Sequence, residues 1–155
     1  MTKSTFVYVT YITTTPQKLW SALTDDTEFM KRYWFGMHCQ SEWTKGSAWK
    51  MVRTDGSICD AGEIIDSIPL QRLVISWQHQ DNPDLRAEGH SLCTIELEQF
   101  DTAVKLSITH VMDREGSKFI NAVSGGWPKI LSNLKSLLET GSVVRSNAYP
   151  AGVGR

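Results

Sequence analysis

Two histidines stand where chemistry could be done. His79 ends a run in which Leu73, Ile75 and Trp77 alternate with Arg72, Val74, Ser76 and Gln78, so its imidazole shares the apolar parity of a strand. His110 follows Val104, Leu106 and Ile108 in the same way. A histidine on core-facing parity near a strand end is a candidate polar anchor, or an acid–base group, in an otherwise apolar pocket. The competing reading is a histidine that only completes its hydrogen bonds at a strand end. Trp49 and Met51 share parity in an earlier run and are candidates for the facing wall, with plain core packing equally compatible. No third ligand at a recognisable spacing accompanies the histidines, so neither a metal site nor a cofactor is indicated.

Other reactive types are less promising. Asp60 and Glu63 lie three apart on one strand, on opposite faces, and cannot form a paired-carboxylate site with each other. Cys59 and Cys93 have no histidine at dyad spacing and read as buried structural thiols. There is no glycine-rich phosphate loop and no G-x-S-x-G nucleophile elbow. The chain carries six tryptophans, enough to favour a wide interior that has to be lined. Among them Trp34, after a short helix, suits a cavity entrance. Trp127 lies beside Gly125, Gly126 and Pro128, where a kinked helix would stand off a sheet and leave room for a ligand.

The elements that must position these residues follow from pattern. Phe6 to Ile12 is β-branched and aromatic and predicts a strand. Thr15 before Pro16 is a helix start, and Leu19, Trp20 and Leu23 share one helical face. A second short helix is predicted over 27–33. Strands are then expected over 37–43, 47–53, 57–68, 72–79, 90–100 and 103–112, with Asp55-Gly56 a hairpin signal and 80–89 a polar connection. From Ser117 to Glu139 apolar residues recur every three or four positions, which predicts one long helix stopped by Gly141. A kink or break is expected at Pro128. The reading is one domain over 1–141 with a loose tail over 142–155. Strand, two short helices, six strands and a long helix make an α+β architecture, an antiparallel meander with the terminal helix covering one face.

Composition narrows the function classes. With 41% hydrophobic and 21% charged residues and a net charge of −1, the chain has the balance of an ordinary globular domain. Scattered lysine and arginine offer no footprint for nucleic acid and no polybasic patch for a membrane surface. No apolar stretch approaches the ~20 residues that cross a bilayer. Three widely spaced cysteines without C-x-x-C, and no signal-peptide pattern, lead to an expectation of a cytoplasmic protein with reduced thiols.

Four segments carry a family resemblance. Thr15-Pro16-Gln17-Lys18-Leu19-Trp20-Ser21-Ala22-Leu23-Thr24-Asp25 resembles the opening helix motif of the START-like (SRPBCC) superfamily, in its branch of activator-of-Hsp90-ATPase-homologue-like proteins. Arg32-Tyr33-Trp34, the stretch from Gly62 to Pro69 continued through Arg72 to Trp77, and Gly126 to Glu139 are similar to the branch's later motifs, in the same order. The resemblance implies a helix-grip, Bet v 1-like fold: a curved antiparallel sheet around the C-terminal helix, with a cavity between them.

Three functions are compatible with this reading. The first is a binder of a hydrophobic small molecule, with Trp34, Trp49, Met51, Trp77, His79, His110 and Trp127 as candidate ligand contacts. The second is a hydrolase-, cyclase- or isomerase-like enzyme using a cavity histidine, for which the sequence names no orienting partner. The third is a chaperone-linked or stress-response role with a protein partner. The chain is expected to act as a monomer or homodimer.

Overall fold

The computed structural model describes residues 2–146. Eleven elements follow in order: β1 Ser4–Ile12, α1 Pro16–Leu23, α2 Thr27–Tyr33, β2 His38–Ser41, β3 Ala48–Val52, β4 Ile58–Ile68, β5 Arg72–His79, α3 Pro83–Arg86, β6 Ser91–Phe100, β7 Ala103–Met112 and α4 Lys118–Thr140. The helix starts are set locally. The Thr15 hydroxyl accepts from the Lys18 amide, and Pro16 contributes a fixed φ where no amide is needed. Asp26 caps α2 by accepting from the Phe29 amide. At the other end, Gly141 closes α4 at a left-handed φ of 84°, donating its amide to the Leu137 carbonyl.

The seven strands form one antiparallel sheet in the order β1-β7-β6-β5-β4-β3-β2. Consecutive strands from β2 to β7 are neighbours. β1 pairs with β7 along its whole length, so α1 and α2 carry the chain from one edge of the sheet to the other. Burial along β7 alternates without exception, with Val104, Leu106, Ile108, His110 and Met112 inward. That face and the apolar stripe of α4 (Phe119, Ile120, Trp127, Ile130, Leu131, Leu134 and Leu137) close on each other as the core. Each large side chain taken from water there stabilises the fold by roughly 1.5–3 kcal/mol.

Two irregularities bend the sheet. The register of β3 against β4 shifts at Cys59, and that of β4 against β5 shifts at Ile65. A bulge leaves one residue unpaired and increases the local twist. Between the bulges the strands come very close at Gly62, where a Cβ would lie 1.5 Å from the Ser76 carbonyl oxygen. Only glycine fits.

Two expectations change. The polar connection contains the short helix α3, capped by Asn82, whose side chain accepts from the Asp84 and Leu85 amides. The break at Pro128 does not occur, and α4 runs on through the proline. The carbonyl left without its donor belongs to Ser124, a half-buried residue where water can replace the lost bond. The start of α4 is held from outside as well: the Glu88 carboxylate accepts from the Ser117 hydroxyl and from the Lys118 and Phe119 amides. A carboxylate there also complements the helix dipole.

The first residues of the segment expected as a loose tail are tied down. Asn133, fully buried on α4, donates to the Arg145 and Tyr33 carbonyls and accepts from the Val144 and Arg145 amides. The remainder of that segment, 147–155, lies outside the described residues. Replacing Asn133 by alanine leaves the buried Tyr33 carbonyl of α2 without its donor. It should therefore destabilise the chain by about 1–3 kcal/mol, read as a lower urea midpoint.

Candidate functional site

Between β3–β5 and the first half of α4 lies a cavity of about 400 Å³. Trp34, Met51, Trp77, Phe119 and Trp127 give it apolar walls, and Asp60, His79, Arg53, Asp81 and Asn82 gather its polar groups toward one side. The fold delivers these residues by register. With Ile68 opposite Arg72, simple counting down the β4–β5 hairpin would set Asp60 opposite Gln80. The bulge at Ile65 removes one residue from the count and sets Asp60 opposite His79. The bulge at Cys59 then lets Cys59 and Asp60, adjacent in sequence, both be buried.

Asp60 is the centre of a buried hydrogen-bond set. The Trp77 indole N–H donates to its Oδ2, and His79 Nδ1 lies 2.8 Å from its Oδ1. Burial acts to raise the Asp60 pKa, but hydrogen bonds from His79, Trp77 and Cys59 outweigh it, and the carboxyl is held below its usual value. An ionised carboxylate only accepts, so the His79 proton sits on Nδ1 and points at Asp60. In the neutral ring this leaves Nε2 with a bare lone pair. No described residue hydrogen-bonds to Nε2, and the His79 side chain lines the cavity. At the rim, Arg53 and Asp81 form an ion pair.

Sulfur, oxygen and nitrogen atoms of Cys59, Asp60 and His79 fall within 4.8 Å of one another, the only such grouping among the described residues. Asp60, however, already holds three donors. The arrangement is complete as a hydrogen-bond network, and we do not assign it as a metal centre.

His110 sits behind the wall. It is fully buried, in ring contact with Trp77, Phe119 and Trp127. The Ser91 hydroxyl spends its proton on the Trp77 carbonyl, so at 2.7 Å it accepts from His110 Nε2. His110 Nδ1 is then free to accept the Trp127 indole N–H at 3.2 Å. This relay fixes one neutral tautomer. Burial pushes the His110 pKa down to about 4, against a smaller opposing pull from Asp60.

Five of the seven candidate contacts therefore line the cavity: Trp34, Met51, Trp77, His79 and Trp127. His110 and Trp49 do not reach it. Trp49 is 1% exposed and packs on Trp77 at 4.3 Å between ring centroids, as core. Trp34, expected at an entrance, is buried edge-on against Trp127. The sequence reading missed Asp60 as a partner of His79, and Gly126 as a lining residue. The signal for Asp60 was its cross-strand position, which the bulge concealed.

A sheet gripping its C-terminal helix over a cavity defines a START-like helix-grip domain. Solved structures of that class superpose on the chain. The Mesorhizobium loti protein MLL2253 is 21% identical over 87% of this chain and 96% of its own, with a TM-score of 0.73. The Aha1 dimer of Colwellia psychrerythraea, solved in solution, is 21% identical over 89% and 98%, with a TM-score of 0.71. PFC0360w, an HSP90 activator of Plasmodium falciparum, is 20% identical over 86% and 95%, with a TM-score of 0.69. At these identities the likeness concerns the fold. Residues 13–139 match the family model described as Activator of Hsp90 ATPase homolog 1-like protein, and the chain belongs to that family. No curated protein sequence matches the chain. Among the described residues no helix is long and apolar enough to cross a membrane.

The tautomer of His110 makes stability pH-dependent. The unfolded chain takes up a proton near 6.5, whereas the folded chain holds His110 neutral down to about 4. This contribution is intact above the unfolded value and is lost as pH falls through that window, by roughly 3 kcal/mol in all. Asp60, whose folded pKa is depressed, gives up its own contribution only below the ordinary 3.8. Urea midpoints measured across the window should fall steeply for the natural chain and much less for His110→Gln.

Proposed function

We propose that this chain binds an apolar small molecule in the cavity between the sheet and α4. The observation that carries the reading is Gly126. It lines the cavity from inside a helix, and a Cβ built there meets nothing within 4 Å. Glycine in a helix interior costs up to about 1 kcal/mol relative to alanine, and no neighbour requires it here. Its missing side chain leaves space in the cavity, next to aromatic walls and a small set of polar groups, which is the composition of small-molecule sites. Family membership supports the reading only at the level of fold, because one fold hosts unrelated functions.

A second reading has one observation behind it. His79 has in Asp60 the orienting partner that a general base requires, so an enzyme acting on an apolar substrate fits the same cavity. Turnover of the bound compound, lost in His79→Phe while binding persists, distinguishes enzyme from carrier. The names of two solved relatives, an Aha1 dimer and an HSP90 activator, raise self-association or a protein partner for this chain as well. Nothing in the cavity speaks for either.

Native mass spectrometry of gently purified protein, followed by denaturation, should release a stoichiometric apolar compound. Gly126→Leu adds bulk to the cavity lining at a position where a Cβ meets no neighbour within 4 Å. It should raise thermal stability by a few degrees, up to about 1 kcal/mol from helix propensity, and abolish retention of the compound. Equal retention by Gly126→Leu and the natural chain would rule the cavity out as the binding site.

A further inference from the structure

We infer that the cavity's occupant is an uncharged ring compound carrying a hydroxyl of the phenol or enol type, which it donates to His79 Nε2. The inference rests on the binding reading above and adds the ligand's class. It starts from an inventory of polar groups that face the cavity. Asp60 is spent on His79, Trp77 and Cys59, and Arg53 is paired with Asp81. Asn82 uses its side-chain oxygen to cap α3, which leaves its amide N–H groups as donors to a ligand oxygen. His79 Nε2 is the ring nitrogen left without a partner among the described residues, and with Nδ1–H committed to an ionised carboxylate the neutral ring accepts at Nε2.

Charge excludes the obvious competitors. Two carboxylates and one guanidinium border the cavity, so a carboxylate-bearing ligand would meet a net negative wall, and the one cation is already paired. An organic cation fares no better. Neither carboxylate is free for it, and the tryptophans meet one another edge to face (Trp34 with Trp127 at 5.5 Å, Trp77 with Trp127 at 5.7 Å) instead of turning their faces into a cage. A neutral donor remains. The body attached to it must be apolar and flat enough to lie against the wall that Trp77, Phe119 and Trp127 form. An aromatic or polycyclic skeleton with one hydroxyl meets both demands.

The test uses three probes of one skeleton, naphthol, its methyl ether and naphthoate, titrated calorimetrically into the full chain. Naphthol should bind about ten-fold tighter than the ether, the net worth of one hydrogen bond, and naphthoate should bind most weakly. His79→Phe keeps an apolar wall, removes Nε2 and should bring naphthol and ether to equal affinity. Equal affinities in the natural chain, tightest binding of naphthoate, or discrimination that survives in His79→Phe would each overturn the hydroxyl inference while leaving the cavity a binding site. Failure of all three probes to bind would overturn the binding reading itself. Should His79→Phe not fold, the imidazole nitrogen resonances of the natural chain decide. The Nε2 signal of His79 should shift with naphthol and not with the ether, and an unmoved signal would overturn the inference.

Discussion

A carboxylate taken out of water must be given donors in place of its hydration, or it will not stay ionised and will not stay put. Asp60 meets that condition with groups that have other duties. Its donors include the indole of Trp77, a wall of the cavity, and the imidazole of His79, whose second nitrogen faces the cavity. Satisfying one buried charge therefore orients two lining side chains at once. The register that makes this possible depends on a bulge five residues away and on a glycine that permits close approach of two strands. Moving any of these parts leaves Asp60 short of donors, so the geometry is held by the cost of the alternative.

The second network follows the same logic without a charge. Trp127, His110, Ser91 and the Trp77 carbonyl form a one-directional chain of donors and acceptors through the centre of the molecule. It links α4 to the sheet at the level of the cavity, where Gly126 brings no side chain to the helix's inner face. Specific hydrogen bonds add to the ring packing at that place. The relay is complete only while His110 is neutral, and its burial favours that state.

The order of elements was legible because strand alternation and the helix stripe are long-range repetitions that single residues cannot hide. Thr15-Pro16 and Gly141 marked their ends by local chemistry. The short helix α3 carries the same signature, Asn82 before Pro83, but four residues are too few for a periodic pattern to confirm it. Parity placed His79, Trp77 and Met51 on the correct face, since each lies where alternation holds. It could not place Asp60, because two bulges break the alternation on either side and no turn signal announces a bulge. His110 had the right parity but a different depth. Parity gives the face of a sheet and says nothing of what the facing helix covers. Pro128 predicted a kink or a break, and a partly solvated carbonyl made the break unnecessary.

The tryptophans also have an optical consequence. Trp49, Trp77, Trp127 and Trp34 form a continuous series of ring contacts, with successive centroids 4.3, 5.7 and 5.5 Å apart. At such separations excitation absorbed by one indole passes readily to the next, so these four chromophores emit as a unit. Three of them border the cavity, one donates to a carboxylate and one to an imidazole. The ultraviolet emission of the whole chain is thus weighted toward a single small region, and its colour and lifetime report the wetness of that region more than the average state of the protein.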